Sequence, residues 1–189
     1  MVTGMSTTTR MSRAVWFSWV LALAAACGGS QSGGAADKPL LAVGSQVPAL
    51  SRVDHRGKVV TLRGEPAIVY FYPKDGTPGC TKEACAFRDT WQRYSTAGIR
   101  VIGVSSDTEA DHRKFAEEHQ LPFSLIADPE HAWSDAFGVG RHALARDRDA
   151  RVSFLIDGTG KVAKVYPDVD PGVHADEVLT DAKGLGLVQ

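Results

Sequence analysis

One stretch of the chain, residues 67–88, constrains the fold more than any other. It begins with an unbroken β-branched and aromatic run from Ile68 to Tyr72, which is typical of a strand buried on both faces. Pro73 ends this run, and the Gly- and Pro-rich segment 75–79 predicts a turn. Residues 81–94 then have helical composition, with apolar residues spaced to share one face. The order strand, turn, helix predicts an α/β fold with this strand at the centre of the sheet.

Cys80 falls in the first turn of the predicted helix, at the carboxyl end of the central strand. Open α/β sheets carry their active sites in that crevice. Free N–H groups and the positive end of the helix dipole favour the thiolate, the reactive form of cysteine. Gly76 and Gly79 allow the backbone to approach whatever lies over the sulfur. The alternative interpretation is a cysteine that fills a gap in the core.

Cys85 lies five positions further along the same predicted helix. On an intact helix, residues at this spacing are roughly 8.6 Å apart between Cα atoms and about 140° apart around the axis. A disulfide needs Cα atoms within about 7 Å. The pair therefore predicts a two-state device that is wound when reduced and locally unwound when oxidised. A metal site is not expected, because two thiols fall short of four ligands.

A short motif links this stretch to a known family. Pro73, Thr77 and Cys80 match the Pro-x-x-x-Thr-x-x-Cys signature of peroxiredoxins. The wider run 72–85 resembles the Q-type, or bacterioferritin-comigratory, branch, and the resemblance extends from about Val43 to the end of the chain. It implies a thioredoxin-like fold, with a central mixed β-sheet flanked by helices and an N-terminal β-hairpin.

The resemblance also implies an activity. Cys80 would reduce hydrogen peroxide and organic hydroperoxides and become a sulfenic acid. Cys85 would resolve this acid as an intramolecular disulfide, which a thioredoxin or thioredoxin-like dithiol would reduce. No metal, flavin or haem is required, because the substrate brings its own weak O–O bond. Relatives of this branch suggest a monomer.

Four further residues receive roles from the same resemblance. Arg151, at the start of a predicted strand, would reach the sulfur of Cys80 and stabilise charge on the peroxide oxygens. The hydroxyl of Thr77 would accept from the peroxide and donate to the reacting atoms. Pro73 would shield the sulfur from water, and Glu83, one helical turn after the cysteine, would orient the arginine.

Residues 1–27 are typical of an export signal. Two arginines precede an apolar run at 14–26, which is short for a membrane span but suits a signal peptide. The four residues that end at Cys27 resemble a bacterial lipoprotein box, although Ala24 stands where leucine is usual, so conventional cleavage after an Ala-x-Ala site stays open. The sequence predicts lipidation of Cys27, a flexible Gly/Ser-rich tether at 28–42, and a lipid-anchored location in the cell envelope facing the periplasm; the alternative is a soluble periplasmic or secreted protein.

The remaining part of the chain, 43–189, has a length that suits one domain. Its further predicted elements are a hairpin at 47–62, strands at 99–105 and 121–128, helices from about 108 and at 131–137, a hairpin at 151–166 and a closing helix at 173–182. His112 and His119 are expected on a half-buried helix face, and residues 146–150 form a charged cluster expected in solvent. The formal net charge of −1, without a Lys/Arg run, does not indicate nucleic-acid binding.

Two other functions compete with the peroxidase hypothesis. A thioredoxin-like thiol–disulfide oxidoreductase of the cell envelope would share the fold, but it needs the closer Cys-x-x-Cys spacing. A non-catalytic domain could instead use the cysteine pair as a structural staple. Peroxide consumption by the reduced protein, compared with its reduction of a model disulfide, separates the first two. Slow alkylation of Cys80 near neutral pH would favour the third.

Overall fold

The computed structural model describes residues 38–188. The predicted signal at 1–27, its Cys27 and most of the predicted tether lie outside these residues. Within the described part of the chain, no helix combines the length and apolar character needed to cross a membrane.

The described residues contain nine strands and five helices. In chain order the strands are β1 (Ser51–Val53), β2 (Val59–Thr61), β3 (Ala67–Phe71), β4 (Arg100–Ser105), β5 (Ser124–Ala127), β6 (Arg141–His142), β7 (Ala145–Asp149), β8 (Val152–Ile156) and β9 (Val162–Tyr166). The helices are α1 (Pro78–Asp89), α2 (Trp91–Thr96), α3 (Glu109–His119), α4 (Ala132–Phe137) and α5 (His174–Gly184).

Five strands form the central sheet in the order β5-β4-β3-β8-β9. The pairs β3–β4 and β4–β5 are parallel, whereas β3–β8 and β8–β9 are antiparallel. Strand β3 is the middle strand and all five of its residues are buried, as its continuous apolar pattern predicted. The predicted α/β fold with a central mixed sheet is therefore confirmed.

Alternate residues of β3 contribute to cores on opposite faces of the sheet, following the two-residue period of a strand. Ile68 and Tyr70 belong to a cluster that includes residues of α1, α3 and α5. Val69 and Phe71 belong to a second cluster that includes Trp133 and other residues of α4 and β2. Trp133, in the helix predicted at 131–137, packs inward and is 1% exposed.

The N-terminal hairpin is confirmed, with β1 and β2 paired antiparallel. His55, in its turn, is buried and lies against β5. Its backbone N–H donates to the Leu125 carbonyl at 3.1 Å, and its ring Nδ1 accepts from the Leu125 N–H at 3.2 Å. His55 thus joins the hairpin to the edge of the central sheet.

The helix predicted at 81–94 is wrong in its bounds, because it is two helices. Helix α1 begins earlier, with Thr77 as N-cap and Pro78 in its first turn, where a missing N–H costs no hydrogen bond. It ends before Thr90, whose hydroxyl donates to the Ala86 carbonyl at 2.7 Å. This local side-chain bond competes with the continuing helix, and α2 starts after it.

The charged cluster at 146–150 was expected in solvent, and this expectation is wrong at Asp149. The cluster forms most of β7, which pairs with β6, and Asp149 is fully buried. Its carboxylate lies 2.9 Å from Nδ1 of His131 and 3.4 Å from Nη1 of Arg141. Burial raises the pKa of Asp149, although both partners oppose the shift. The partners are distant enough in sequence that the local charge pattern did not reveal them.

Candidate active site

Sheet topology brings Arg151 to the start of α1. Strand β8 runs antiparallel to β3, with Val152 opposite Phe71, so β8 begins at the edge where β3 ends. Arg151 directly precedes β8, and the loop from β3 to Cys80 leaves the same edge. Residues 71 positions apart in sequence therefore meet at the carboxyl end of the central strand, the place where open α/β sheets carry their sites.

The guanidinium of Arg151 bridges two side chains of α1. Its Nη2 donates to the sulfur of Cys80 at 3.1 Å. Its Nη1 donates to the carboxylate of Glu83, which lies one turn further along the helix. The planar fork of an arginine can donate in both directions at once, whereas a lysine offers a point charge. The structure thus brings together three of the residues singled out from sequence.

Burial dominates the electrostatics of this cluster. Glu83 is fully buried, and burial raises its pKa to about 7, although the charge and hydrogen bond of Arg151 oppose this shift. Burial alone would lower the pKa of Arg151, but Glu83 and Cys80 together raise it. The second carboxylate oxygen of Glu83 has no hydrogen-bond partner among residues 38–188. The arginine therefore stays charged beside a carboxyl group that titrates near neutral pH.

Cys80 is only 1% exposed, so the sulfur is more covered than its place in a turn suggested. It belongs to the apolar cluster with Ala84 and Phe87, while Arg151 supplies a polar contact at its other side. Gly79 permits this contact, because a Cβ there would lie 3.3 Å from Nη2 of the arginine. The arginine side chain is 18% exposed, so the polar side of the site is the side that reaches solvent.

Thr77 and Pro73 lie in the loop between β3 and α1, and both are partly exposed. The hydroxyl of Thr77 donates to the Lys74 carbonyl at 3.1 Å and does not cap the helix by its side chain. Its lone pairs remain available to accept a hydrogen bond from a substrate. The donor role expected from the resemblance requires that the bond to Lys74 first be released.

Cys85 shares α1 with Cys80, and the helix is continuous across both residues. Cys85 is partly exposed, and both thiols are free. The wound arrangement expected for the reduced pair is the one observed. A bond between the two sulfurs requires this helix to unwind, because its geometry separates them too far.

Sequence reasoning missed a polar network around Asp75, in the same loop. Its carboxylate accepts from the Tyr72 hydroxyl at 2.8 Å and from Nδ1 of His112 at 2.7 Å. Its backbone N–H donates to Asp107 at 2.8 Å. His112 lies on the helix face that was expected to be half-buried, and its own side chain is fully buried. The spacing of His112 within its helix predicted the face but carried no signal for a partner 37 positions away.

The family model described as "AhpC/TSA family" matches residues 43–165. The chain belongs to the AhpC/TSA family. Among curated relatives of this family member, the "putative peroxiredoxin bcp" of Coxiella burnetii is 38% identical over 144 residues, covering 72% of this chain and 95% of the relative. The chloroplastic peroxiredoxin Q of Sedum lineare is 39% identical over 140 residues, covering 72% and 75%.

Solved structures agree with the AhpC/TSA assignment. The peroxidoxin BcpB of Mycobacterium tuberculosis has a TM-score of 0.70 at 31% identity, covering 76% of this chain and 97% of the other. A peroxiredoxin Q of Xanthomonas campestris has a TM-score of 0.67 at 30% identity, covering 78% and 99%. This AhpC/TSA protein is therefore a peroxiredoxin of the Q type and a thiol peroxidase. Its relatives occur in chloroplasts and in bacteria, and they favour a peroxidase over a thiol–disulfide oxidoreductase.

Proposed function

We propose that this peroxiredoxin reduces hydrogen peroxide and organic hydroperoxides, with Cys80 as the peroxidatic residue and Cys85 as the resolving residue. One observation carries the proposal: a buried sulfur at the start of a helix accepts a hydrogen bond from Arg151 at 3.1 Å. A positive charge and a helix N-terminus both stabilise a thiolate, which is the nucleophile that peroxide reduction needs.

In the first step, the Cys80 thiolate attacks the terminal oxygen of the hydroperoxide. An S–O bond forms as the O–O bond breaks, and the electron pair leaves on the alkoxide or hydroxide. That group takes up a proton and departs as alcohol or water, while the sulfur becomes a sulfenic acid. The guanidinium of Arg151 stabilises the departing negative charge, and the Thr77 hydroxyl accepts a hydrogen bond from the substrate. Pro73 shields the sulfur from water and has no backbone N–H that could compete for the thiolate.

Glu83 supports this step through Arg151. Its carboxylate accepts from Nη1, which leaves Nη2 directed at the sulfur. Because Glu83 lies on the wound helix α1 and Arg151 directly precedes β8, the guanidinium is oriented before substrate arrives. Glu83 is thus proposed as a positioning residue.

In the second step, the thiol of Cys85 attacks the sulfenic sulfur, and water leaves as the S–S bond forms. Helix α1 must unwind between the two residues before this attack. A thioredoxin or thioredoxin-like dithiol then reduces the disulfide and the helix rewinds, which completes a thioredoxin-dependent cycle. We expect the domain at 43–189 to act as a monomer.

Export and lipidation form a separate part of the proposal. The lipobox-like segment ending at Cys27 would anchor the enzyme to the cell envelope through the tether at 28–42. Mass spectrometry of the mature N-terminus tests this directly. A lipid-modified Cys27 is expected, whereas an unmodified N-terminus after an Ala-x-Ala site would indicate a soluble exported protein.

The catalytic assignment predicts different outcomes for the two cysteines. Cys80→Ser should abolish peroxide consumption, because Cys80 lies in the first turn of α1 and accepts from Arg151, whereas Cys85 lies in the middle of the helix. Cys85→Ser should consume one equivalent of peroxide and stop at the sulfenic acid. Stopped-flow mixing of reduced protein with hydrogen peroxide, followed by dimedone trapping, measures both. Normal turnover by Cys80→Ser would overturn the assignment.

A further inference from the structure

We propose that α3 braces the redox segment, defined as residues 76–87, and that His112 and Arg88 are positioning residues of the peroxidase reaction. The inference rests on the proposed function, because it concerns the unwinding of α1 between Cys80 and Cys85. Both ends of the segment are attached to this single helix. One attachment lies near the beginning of α3 and the other lies at its end.

The first attachment holds Asp75, just before the segment. Both carboxylate oxygens and the backbone N–H of Asp75 are engaged, by Tyr72, His112 and Asp107. Because a carboxylate can only accept hydrogen bonds, Nδ1 of His112 carries the hydrogen and donates a hydrogen bond to Asp75. Asp107 is itself fixed by the Ser105 hydroxyl at 2.7 Å. All these partners lie on or next to β3, β4 and α3.

Burial makes this attachment costly to break. The side chain of His112 is 0% exposed and that of Asp75 is 9% exposed. A buried carboxylate that loses a donor keeps the whole penalty of its lost hydration. Loops normally lie loosely on a protein surface, but the midpoint of this loop is bound to the rigid fold.

The second attachment holds Arg88, just after the segment. Its Nη1 donates to the carbonyl of His119 at 2.9 Å, across 31 positions of sequence. His119 is the last residue of α3, and the final carbonyls of a helix have no partner within it. Nε and Nη2 of Arg88 also donate to Asp89 at 2.9 and 2.8 Å. The end of α1 is thereby tied to the end of α3.

The two attachments enclose the residues that must move. Helix α3 has 11 residues and is about 16 Å long. Its first half binds Asp75 through His112, and its last residue, His119, binds Arg88. Cys80 and Cys85 both lie between Asp75 and Arg88. Unwinding can therefore proceed inside the segment while the chain on either side stays in place. Cys80 moves, and the positions where α1 is held do not.

The first attachment also serves the step before unwinding. Thr77 is two residues after Asp75, so the hydrogen bond from His112 to Asp75 also restrains the Thr77 hydroxyl, which accepts a hydrogen bond from the peroxide. Weakening the hydrogen bond between His112 and Asp75 should have opposite effects on sulfenic acid formation and on disulfide formation. It should slow sulfenic acid formation, because the site is less ordered, and it should speed disulfide formation, because the unwound segment has more conformations available when only one of its ends is held.

His112→Leu tests this expectation, with His112→Asn as the matched variant, because an asparagine amide can donate where Nδ1–H does. Stopped-flow measurement of both steps should show the leucine variant roughly tenfold slower in the first step and several-fold faster in the second. The asparagine variant should keep both rates near those of the wild type. Phe137→Leu, on the opposite face of the sheet, serves as a control for general loss of stability, with its Tm measured alongside.

The outcomes separate the brace from the function. If His112→Leu keeps both rates, or changes them by the factors that Phe137→Leu shows, the brace is wrong while the peroxidase stands. If the wild-type protein forms no sulfenic acid at Cys80, or no bond to Cys85, the proposed function fails first. Opposite changes in the two steps, reversed by asparagine, support the brace.

Hydrogen exchange tests the second attachment without relying on activity. In the oxidised wild-type protein, amides of the segment should exchange fast, while those of Arg88, Asp89 and α3 stay protected. In oxidised Arg88→Ala, fast exchange should extend past Asp89 into α2. Loss of protection in α3 on oxidation of the wild type, or unchanged protection of Asp89 in the variant, would overturn the brace.

Discussion

Arg151 serves two acidic neighbours through one planar group. Its contacts with Cys80 and Glu83 use different nitrogens of the same fork, so the direction of one bond fixes the direction of the other. A positive charge alone would not suffice at this position, because the ammonium group of a lysine has no such fixed geometry.

Arg151→Lys is therefore expected to lower kcat/KM for hydrogen peroxide by about a hundredfold, the size typical of losing one preorganised donor. Steady-state assays with a dithiol reductant measure this effect. Circular dichroism provides the control for folding. A lysine variant within threefold of the wild type would show that charge alone is sufficient.

Glu83 predicts a pH dependence of stability. Burial raises its pKa to about 7 from 4.5, so between these values the folded protein keeps a proton that the unfolded chain has released. Stability from this group is therefore fully present below about pH 4.5 and falls as the pH rises towards 7, by up to about 3 kcal/mol. Urea unfolding at pH 5 and pH 7.5 should show this fall in the wild type and a smaller one in Glu83→Gln. An equal loss of unfolding free energy between pH 5 and pH 7.5 in both proteins would contradict this prediction.

At the scale of the element, α1 has a well-defined start and a middle that must unwind during the reaction. Thr77 and Pro78 begin the helix, Thr90 ends it, and the two cysteines lie between. A helix of this length gains little from propensity alone, so small changes in the middle alter how easily it unwinds.

Lys82, an exposed residue within the redox segment, allows a test of this point. Lys82→Gly lowers helix propensity by about 0.7 kcal/mol, which should speed disulfide formation roughly threefold, whereas Lys82→Ala should leave it the same or slower. Single-turnover kinetics after peroxide addition measure the rate. If glycine slows disulfide formation, unwinding of α1 does not limit that step.

At the scale of the whole molecule, the central sheet is packed without spare room at one place. Gly103 of β4 lies beneath Tyr70 of β3, and a Cβ there would be 2.7 Å from the tyrosine ring. Gly103→Ala should therefore destabilise the fold by about 1–3 kcal/mol through overpacking. Thermal unfolding measures this loss. Gly140→Ala is the control, since a Cβ at Gly140 meets nothing within 4 Å.

The sequence predicted what depends on local pattern. The apolar run 68–72 gave β3 its central place, and the turn before Cys80 gave the helix start. Features that depend on distant partners were missed, including buried Asp149 and the bond between Asp75 and His112. Periodicity reports which face of an element is buried, but it does not report which charge another element brings to that face.

The pairing of β8 with β3 has one consequence for how such an enzyme can vary. Because Val152 faces Phe71, a shift of one position in this pairing would turn Arg151 to the other side of the sheet and separate it from the sulfur. Insertions at the exposed tip near Leu144 leave that pairing untouched. The length of the tip can therefore vary without moving Arg151, whereas a one-residue shift of β8 against β3 would separate Arg151 from Cys80.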